Sequence, residues 1–181
     1  MPAIHSLRPN VTREEAIEKF RGGVAGLLHR LGAGALRSVA EVYLPFQLYE
    51  VEIVNGPRRE RSWLALDAVN GSLDLYRFER PPVGADLVAV ETRNRPPAAL
   101  GEDRASALLE HKLRRQVFQA GFFRVRGLRF QAERIPLDLH VPYWIGFYAA
   151  GSGIRLRVLD AVRRRFEGAK VRTLVEAWLA T

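Results

Sequence analysis

The sequence predicts an α+β fold made of two tandem α-β-β-β(-β) units, and three observations carry that reading. Leu44-Pro45-Phe46 opens a strand-like run that closes on Leu66-Asp67-Ala68-Val69, and Val141-Pro142-Tyr143 opens another that closes on Leu159-Asp160-Ala161-Val162. A helix-like segment precedes each run at a similar distance. After residue 168 an additional amphipathic segment follows the second run and has no counterpart after the first. Each unit then reads as an antiparallel meander packed on a helix, with a C-terminal helix added to the second. The boundaries fall at residues 1–80 for the first repeat unit, 81–101 for a linker and 102–181 for the second repeat unit.

Taken in order, the elements follow from period and punctuation. Thr12 with Glu15 three residues later forms a capping box, and Ile17, Phe20, Val24, Leu27, Leu28 and Leu31 recur at helical spacing. Gly32 suits the residue after that helix. Gly22, Gly23 and Gly26 weaken it by up to ~1 kcal/mol each, so they either admit close packing on a sheet or mark a break near residue 22. Tyr49, Val51 and Ile53 alternate with Glu50 and Glu52 as a half-exposed strand. Residues 55–60 read as a long polar turn and Trp63 to Val69 as a strand. Asn70-Gly71 suits a two-residue hairpin turn, after which Leu73, Leu75 and Phe78 continue the meander. Pro81-Pro82 and Pro96-Pro97 frame the linker, which holds one strand at Leu87 to Glu91.

The second unit repeats the order. Leu108, Leu109, Leu113 and Val117 line a helix over about 102–120, ended by Gly121. Strands are expected at 123–139, 143–150 and 153–162, turning at Gly151-Ser152-Gly153. The spacing from proline to aspartate is 22 residues in the first unit and 18 in the second, so the first hairpin is the longer. Val171, Leu174, Val175 and Trp178 make the apolar stripe of the final helix. Glu50 and Glu52 become Phe147 and Ala149 in the second unit. That apolar face, with Tyr143 and Ile145, is what an extra amphipathic helix needs to pack on.

Composition narrows the function classes. The 181 residues contain no cysteine, which removes disulfides, thiolate metal sites and a cysteine nucleophile. No apolar run reaches the roughly 20 residues of a spanning helix, and the start of the chain has no secretory core segment, so the expected location is the cytoplasm. The net charge is +8, with 13 basic and 12 acidic residues over 1–101 but 15 and 8 over 102–181. Arginine supplies 25 of the 28 cations; that suits bidentate phosphate or carboxylate recognition and also suits a genome-wide compositional preference.

The hairpin motif carries a resemblance. Tyr49 to Val54, Leu64 to Val69, Asn70-Gly71 and Ser72 to Leu75 follow a helix in a pattern that resembles the PepSY-like, cystatin-like arrangement. The second unit keeps Leu159-Asp160-Ala161-Val162 but has Arg163-Arg164 near the hairpin glycine. The resemblance implies the fold of each unit. PepSY-like modules are usually exported or membrane-attached and bind or inhibit peptidases.

No constellation points to catalysis. Asp67 and Asp160 could be paired as a carboxylate site, but both precede a turn, where aspartate accepts bonds from backbone amides. His5, His29, His111 and His140 show no metal-ligand spacing; His140, near Glu133, Asp138 and Tyr143 in sequence, reads as a core or edge residue. The glycines at 22, 23, 26, 32 and 34 lack the strand-loop-helix context of a phosphate loop, and no serine stands in a nucleophile elbow. The expected function is therefore a non-catalytic binding or protein-interaction module, with no cofactor and no metal. Its partner is an unspecified protein, a small ligand or a second copy of the chain. The contact surface is the aromatic strand 141–148, through Tyr143, Trp144 and Tyr148. The alternative is binding of nucleic acid or another anionic surface by the basic second unit, through Arg155, Arg157, Arg163, Arg164 and Arg165, with Arg124, Arg126 and Arg129 beside them.

Overall fold

The computed structural model describes residues 3–22, 34–119, 127–151 and 153–181. The fold is α+β, with a large, mostly antiparallel sheet. In chain order the strands are β1 (Ile4–Leu7), β2 (Leu36–Asn55), β3 (Arg58–Asp67), β4 (Tyr76–Phe78), β5 (Leu87–Val90), β6 (Arg129–Ala150), β7 (Gly153–Asp160) and β8 (Arg165–Phe166). The helices among the described residues are α1 (Arg13–Arg21), α2 (Glu102–Gln119) and α3 (Ala169–Leu179). Hydrogen-bonded neighbours run β4-β3-β2-β6-β1-β5, and β7 pairs with both β6 and β8. No described helix is long and apolar enough to cross a membrane.

The compact units are not the sequence segments 1–80 and 102–181. One comprises Met1–Leu44, Val88–Pro96 and His140–Thr181, and the other Pro45–Leu87 and Pro97–Leu139. The reason is that β2 and β6, at 20 and 22 residues, run unbroken through Pro45 and Pro142 where shorter strands were expected. Each long strand therefore contributes to both units. The 81–101 segment is likewise divided, since β5 and the residues after it are split between them.

The first unit takes its helix from the N-terminal part of the chain and its hairpin from the C-terminal part. α1 is held by Thr12, whose hydroxyl accepts from Glu15 N–H while the Glu15 carboxylate accepts from Thr12 N–H. It ends at Gly22, so of the two glycine readings the break is the observed one. The expected continuation through Val24 to Gly32 lies outside the described residues. Ala16 and Phe20 of α1 pack with Val11, Trp144, Tyr148, Leu159 and Ala161. Because side chains alternate along strands and Trp144 stands opposite Leu159 in the β6–β7 ladder, these residues mark one face of that hairpin. On the other face Tyr143, Ile145, Leu156 and Val158 are buried. α3 packs against β7 with Val171, Leu174 and Val175 buried.

The second unit is built to the same plan with the contributions reversed. α2, from the later part of the chain, packs Ala105, Leu109 and Leu113 on Tyr49, Val51, Leu64 and Leu66 of the β2–β3 hairpin. That hairpin is longer and tighter than expected, because Asn55 pairs directly with Arg58 and the polar segment 58–60 belongs to β3. Asn70-Gly71 is not a two-residue hairpin turn but part of a longer connection between the paired strands β3 and β4; β3 ends at Asp67 and β4 begins only at Tyr76, with Leu73 and Leu75 buried in between. The outer face carries Glu50 and Glu52, which pair diagonally with Arg61 at 3.0 Å and Arg59 at 3.8 Å.

Candidate functional site

The two aspartates of the sequence motif are turn anchors. Asp67 is fully buried, and its Oδ1 accepts from the N–H groups of Asn70 and Gly71, both at 3.0 Å, while Oδ2 accepts from Leu73 N–H at 2.7 Å. Asp160 is equally buried, and its Oδ1 accepts from Val162 and Arg163 N–H, both at 2.8 Å. Each carboxylate gathers the amides of the chain as it leaves the hairpin. Such multiple charge-assisted bonds offset the cost of burying the charge.

A matched set of backbone bonds surrounds each aspartate. Ala68 N–H donates to Pro45 O at 2.8 Å and Ala161 N–H to Pro142 O at 3.1 Å. The carbonyls of the same alanines then accept from the segments leading into the helices. Leu100 N–H reaches Ala68 O at 2.9 Å, and Asn10 N–H reaches Ala161 O at 2.7 Å.

The aromatic strand is interior, which corrects the expectation that it forms a contact surface. Tyr143, Trp144 and Tyr148 are buried. Trp144 Nε1 donates to Val11 O at 3.0 Å, just before α1, and the Tyr148 hydroxyl donates to Phe20 O at 2.8 Å, at its end. The two polar atoms satisfy carbonyls at both ends of a short helix, which leaves the rings as packing surface. Phe20 stacks edge-on with Tyr148 and Phe166, and it lies so close over Gly146 that any side chain there would overlap its ring. Burial raises the pKa of the Tyr148 phenol, and of Tyr49 in the second unit.

Sequence reasoning missed the residue that performs the Trp144 task in the second unit. Gln47 Nε2 donates to Leu100 O at 3.1 Å, just before α2, and the Tyr49 hydroxyl donates to Gln47 Oε1. The signal was present: Gln47 and Trp144 each stand two residues after the strand proline.

The arginines do not form one free cluster. Arg157 lies over the Phe166 ring, 3.8 Å from its centroid. Arg164 donates to Asn10 O at 2.6 Å and pairs with Glu15 at 3.1 Å, and Arg165 pairs with Glu167 at 3.3 Å. The Thr12 backbone N–H, and then Arg164, hold the Glu15 carboxyl below its ordinary pKa. Arg163 is half-buried and gives its N–H to Asp160. Arg155 is exposed and makes no ion pair among the described residues. Arg124 and Arg126 lie outside the described residues. Arg164 also has a left-handed backbone, φ 59°, four residues after its aspartate, where the second unit has Gly71 at φ 75°.

His140 is buried, and no group of three or more His, Asp or Glu side chains is arranged for a metal ion among the described residues. Comparison with protein-family models, with curated proteins and with solved structures gives no match for the chain.

Proposed function

We propose that this chain is a non-catalytic protein-interaction module, assembled from one α+β repeat used twice with the helices exchanged between the two hairpins. The observation that carries the reading is how the chemistry-bearing side chains are spent. Asp67 and Asp160 bind turn amides, Trp144, Tyr148 and Gln47 bind helix-terminal carbonyls or the residues leading into helices, and Arg164 binds Asn10 and Glu15. A catalytic carboxylate needs hydrogen-bond reach to a substrate proton, whereas both Asp67 oxygens and Asp160 Oδ1 accept from backbone amides of their own unit. The sequence resemblance of the hairpin motif to PepSY-like repeats supports a module of this kind.

The test is reconstitution. A stoichiometric complex formed from the purified chain and a purified protein supports the reading. Turnover of a small molecule that survives repurification, and that Asp67→Asn or Asp160→Asn abolishes without unfolding the chain, overturns it. The anionic-surface alternative rests on the +8 charge and predicts retention on heparin that weakens steeply with salt. Ion pairing of Arg164 and Arg165 and stacking of Arg157 weigh against it.

A further inference from the structure

We infer that the edge of β7 left open among the described residues is a strand-addition site for an extended acidic peptide segment of a partner protein; this rests on the interaction-module reading and names the surface and the chemistry. In a ladder, alternate residues turn their N–H and C=O groups to opposite sides. Ala161 N–H points at β6, to Pro142 O, whereas Val158 O accepts from Glu167 N–H on the far side. By the same alternation Ile154 and Leu156 direct their backbone groups away from β6. β8 pairs only with Leu159 and Asp160, so the outward groups of Ile154 and Leu156 have no partner among the described residues.

The edge is also undefended. Ile154 is 70% exposed, the most exposed large apolar side chain among those described. Natural sheets usually guard such an edge with charge. The second unit does so: the outward positions beyond its β4 pairing are Arg59 and Arg61, tied to Glu52 and Glu50. Ile154 stands where that hairpin has Arg61, six residues before the turn aspartate.

Charge decides the occupant. Pairing β7 with β7 of a second copy through both outward residues would set Arg155 directly opposite its own counterpart, and like charges opposed across a ladder are destabilising. A partner strand alternating apolar and acidic residues instead meets the exposed Ile154 on one face, with Leu156 offering only its outward backbone groups, and on the other face Arg155, which makes no ion pair among the described residues. Main-chain bonds then supply affinity, and the alternating side chains supply choice.

A probe suited to this edge is an eight-residue alternating Val-Asp peptide, titrated into the 15N-labelled full chain. Amide exchange of Ile154 and Leu156 is expected to be fast in the free protein and slowed by the peptide. The matching Val-Lys peptide and a backbone N-methylated Val-Asp peptide are expected to leave it unchanged. Ile154→Lys should weaken binding at least about tenfold with an unaltered melting temperature, and Arg155→Glu should transfer preference to the Val-Lys peptide. The proposal is overturned if those amides are already protected, or if binding ignores Ile154→Lys or the N-methyl groups. It also fails if the chain is a dimer that Ile154→Lys dissociates, or if an oligonucleotide protects the edge and the peptide does not. Protection by an oligonucleotide alone would favour the anionic-surface alternative, whereas the other failures leave the interaction-module reading standing, since turnover is what overturns that reading.

Discussion

The two hairpins share a hydrogen-bond plan and differ in what they show to the outside. In both, a proline carbonyl accepts from the alanine after the aspartate, and a helix covers one face. The β6–β7 hairpin is buried on its other face as well, and its edge is left apolar at Ile154. The β2–β3 hairpin keeps a charged outer face and a charged edge, with Glu50, Glu52, Arg59 and Arg61 paired across the strands. Similar backbone scaffolds thus tolerate opposite surface chemistry, because the carboxylate–amide and alanine–proline bonds fix the hairpin independently of the side chains that face outward.

The widest break in the comparison is to cut the chain between Pro96 and Pro97. Each unit draws on residues from both sides of the cut. Fragments 1–96 and 97–181 are each expected to lack cooperative melting alone and to regain it when mixed, as followed by circular dichroism. A folded monomer from either fragment would contradict the exchanged architecture, and a folded homodimer of one fragment would strengthen the duplication reading.

Asp67→Ala strands the buried amides of Gly71 and Leu73 and the part-buried amide of Asn70, and Asp160→Ala the part-buried amides of Val162 and Arg163, a fully buried unmet donor costing about 1–3 kcal/mol. Both variants should therefore lose about 3 kcal/mol or more in chemical denaturation. A large loss at one position and none at the other would end the claim that the carboxylates have the same task. Gly146→Ala is expected to cost about 1–3 kcal/mol, because the new Cβ would sit 2.7 Å from the Phe20 ring. The matching position in the second hairpin already carries Tyr49, so Tyr49→Phe should cost less, about 1 kcal/mol for its bond to Gln47.

The smallest effect concerns Arg164. Arg164→Gly relieves a left-handed conformation worth roughly 1–2 kcal/mol and removes the bonds to Asn10 and Glu15, so net stability near pH 7 should change little. Its pH dependence is the sharper readout. A carboxyl whose pKa is lowered on folding stabilises the protein above its unfolded value, 4.5 for Glu15, and that contribution is lost as pH falls through the folded value. Arg164→Gly should flatten the decline in melting temperature below pH 4.5, and an unchanged slope would show that Thr12 alone sets the Glu15 charge.

Local features were legible in the sequence where a few neighbouring residues determine them. The Thr12–Glu15 capping box, the α2 stripe through Leu109 and Leu113, the α3 stripe through Val171 and Val175, and the aspartates as turn anchors all follow from short-range spacing. The pairing of helices with hairpins did not. Phe20 fits either apolar hairpin by pattern, and only the unbroken passage of β2 and β6 through their prolines carries each helix to the other hairpin. Proline usually marks a strand limit, which is why both strands were expected to be shorter. The aromatic strand misled for a related reason. A tryptophan N–H and a tyrosine hydroxyl look available on paper, and their acceptors, Val11 and Phe20, lie 133 and 128 residues away. β1 and β8, at four and two residues, are too short to carry a period.

The exchange of helices also sets an order of assembly on the ribosome. Everything the second unit needs has been synthesised once Leu139 emerges, whereas α1, made early, must wait for His140–Thr181 before its hairpin exists. At typical synthesis rates of about 5–20 residues per second, Ala16 and Phe20 spend several seconds without their final cover. The shortness of α1 and the polar residues around those two apolar positions limit what a nascent chain displays during that interval.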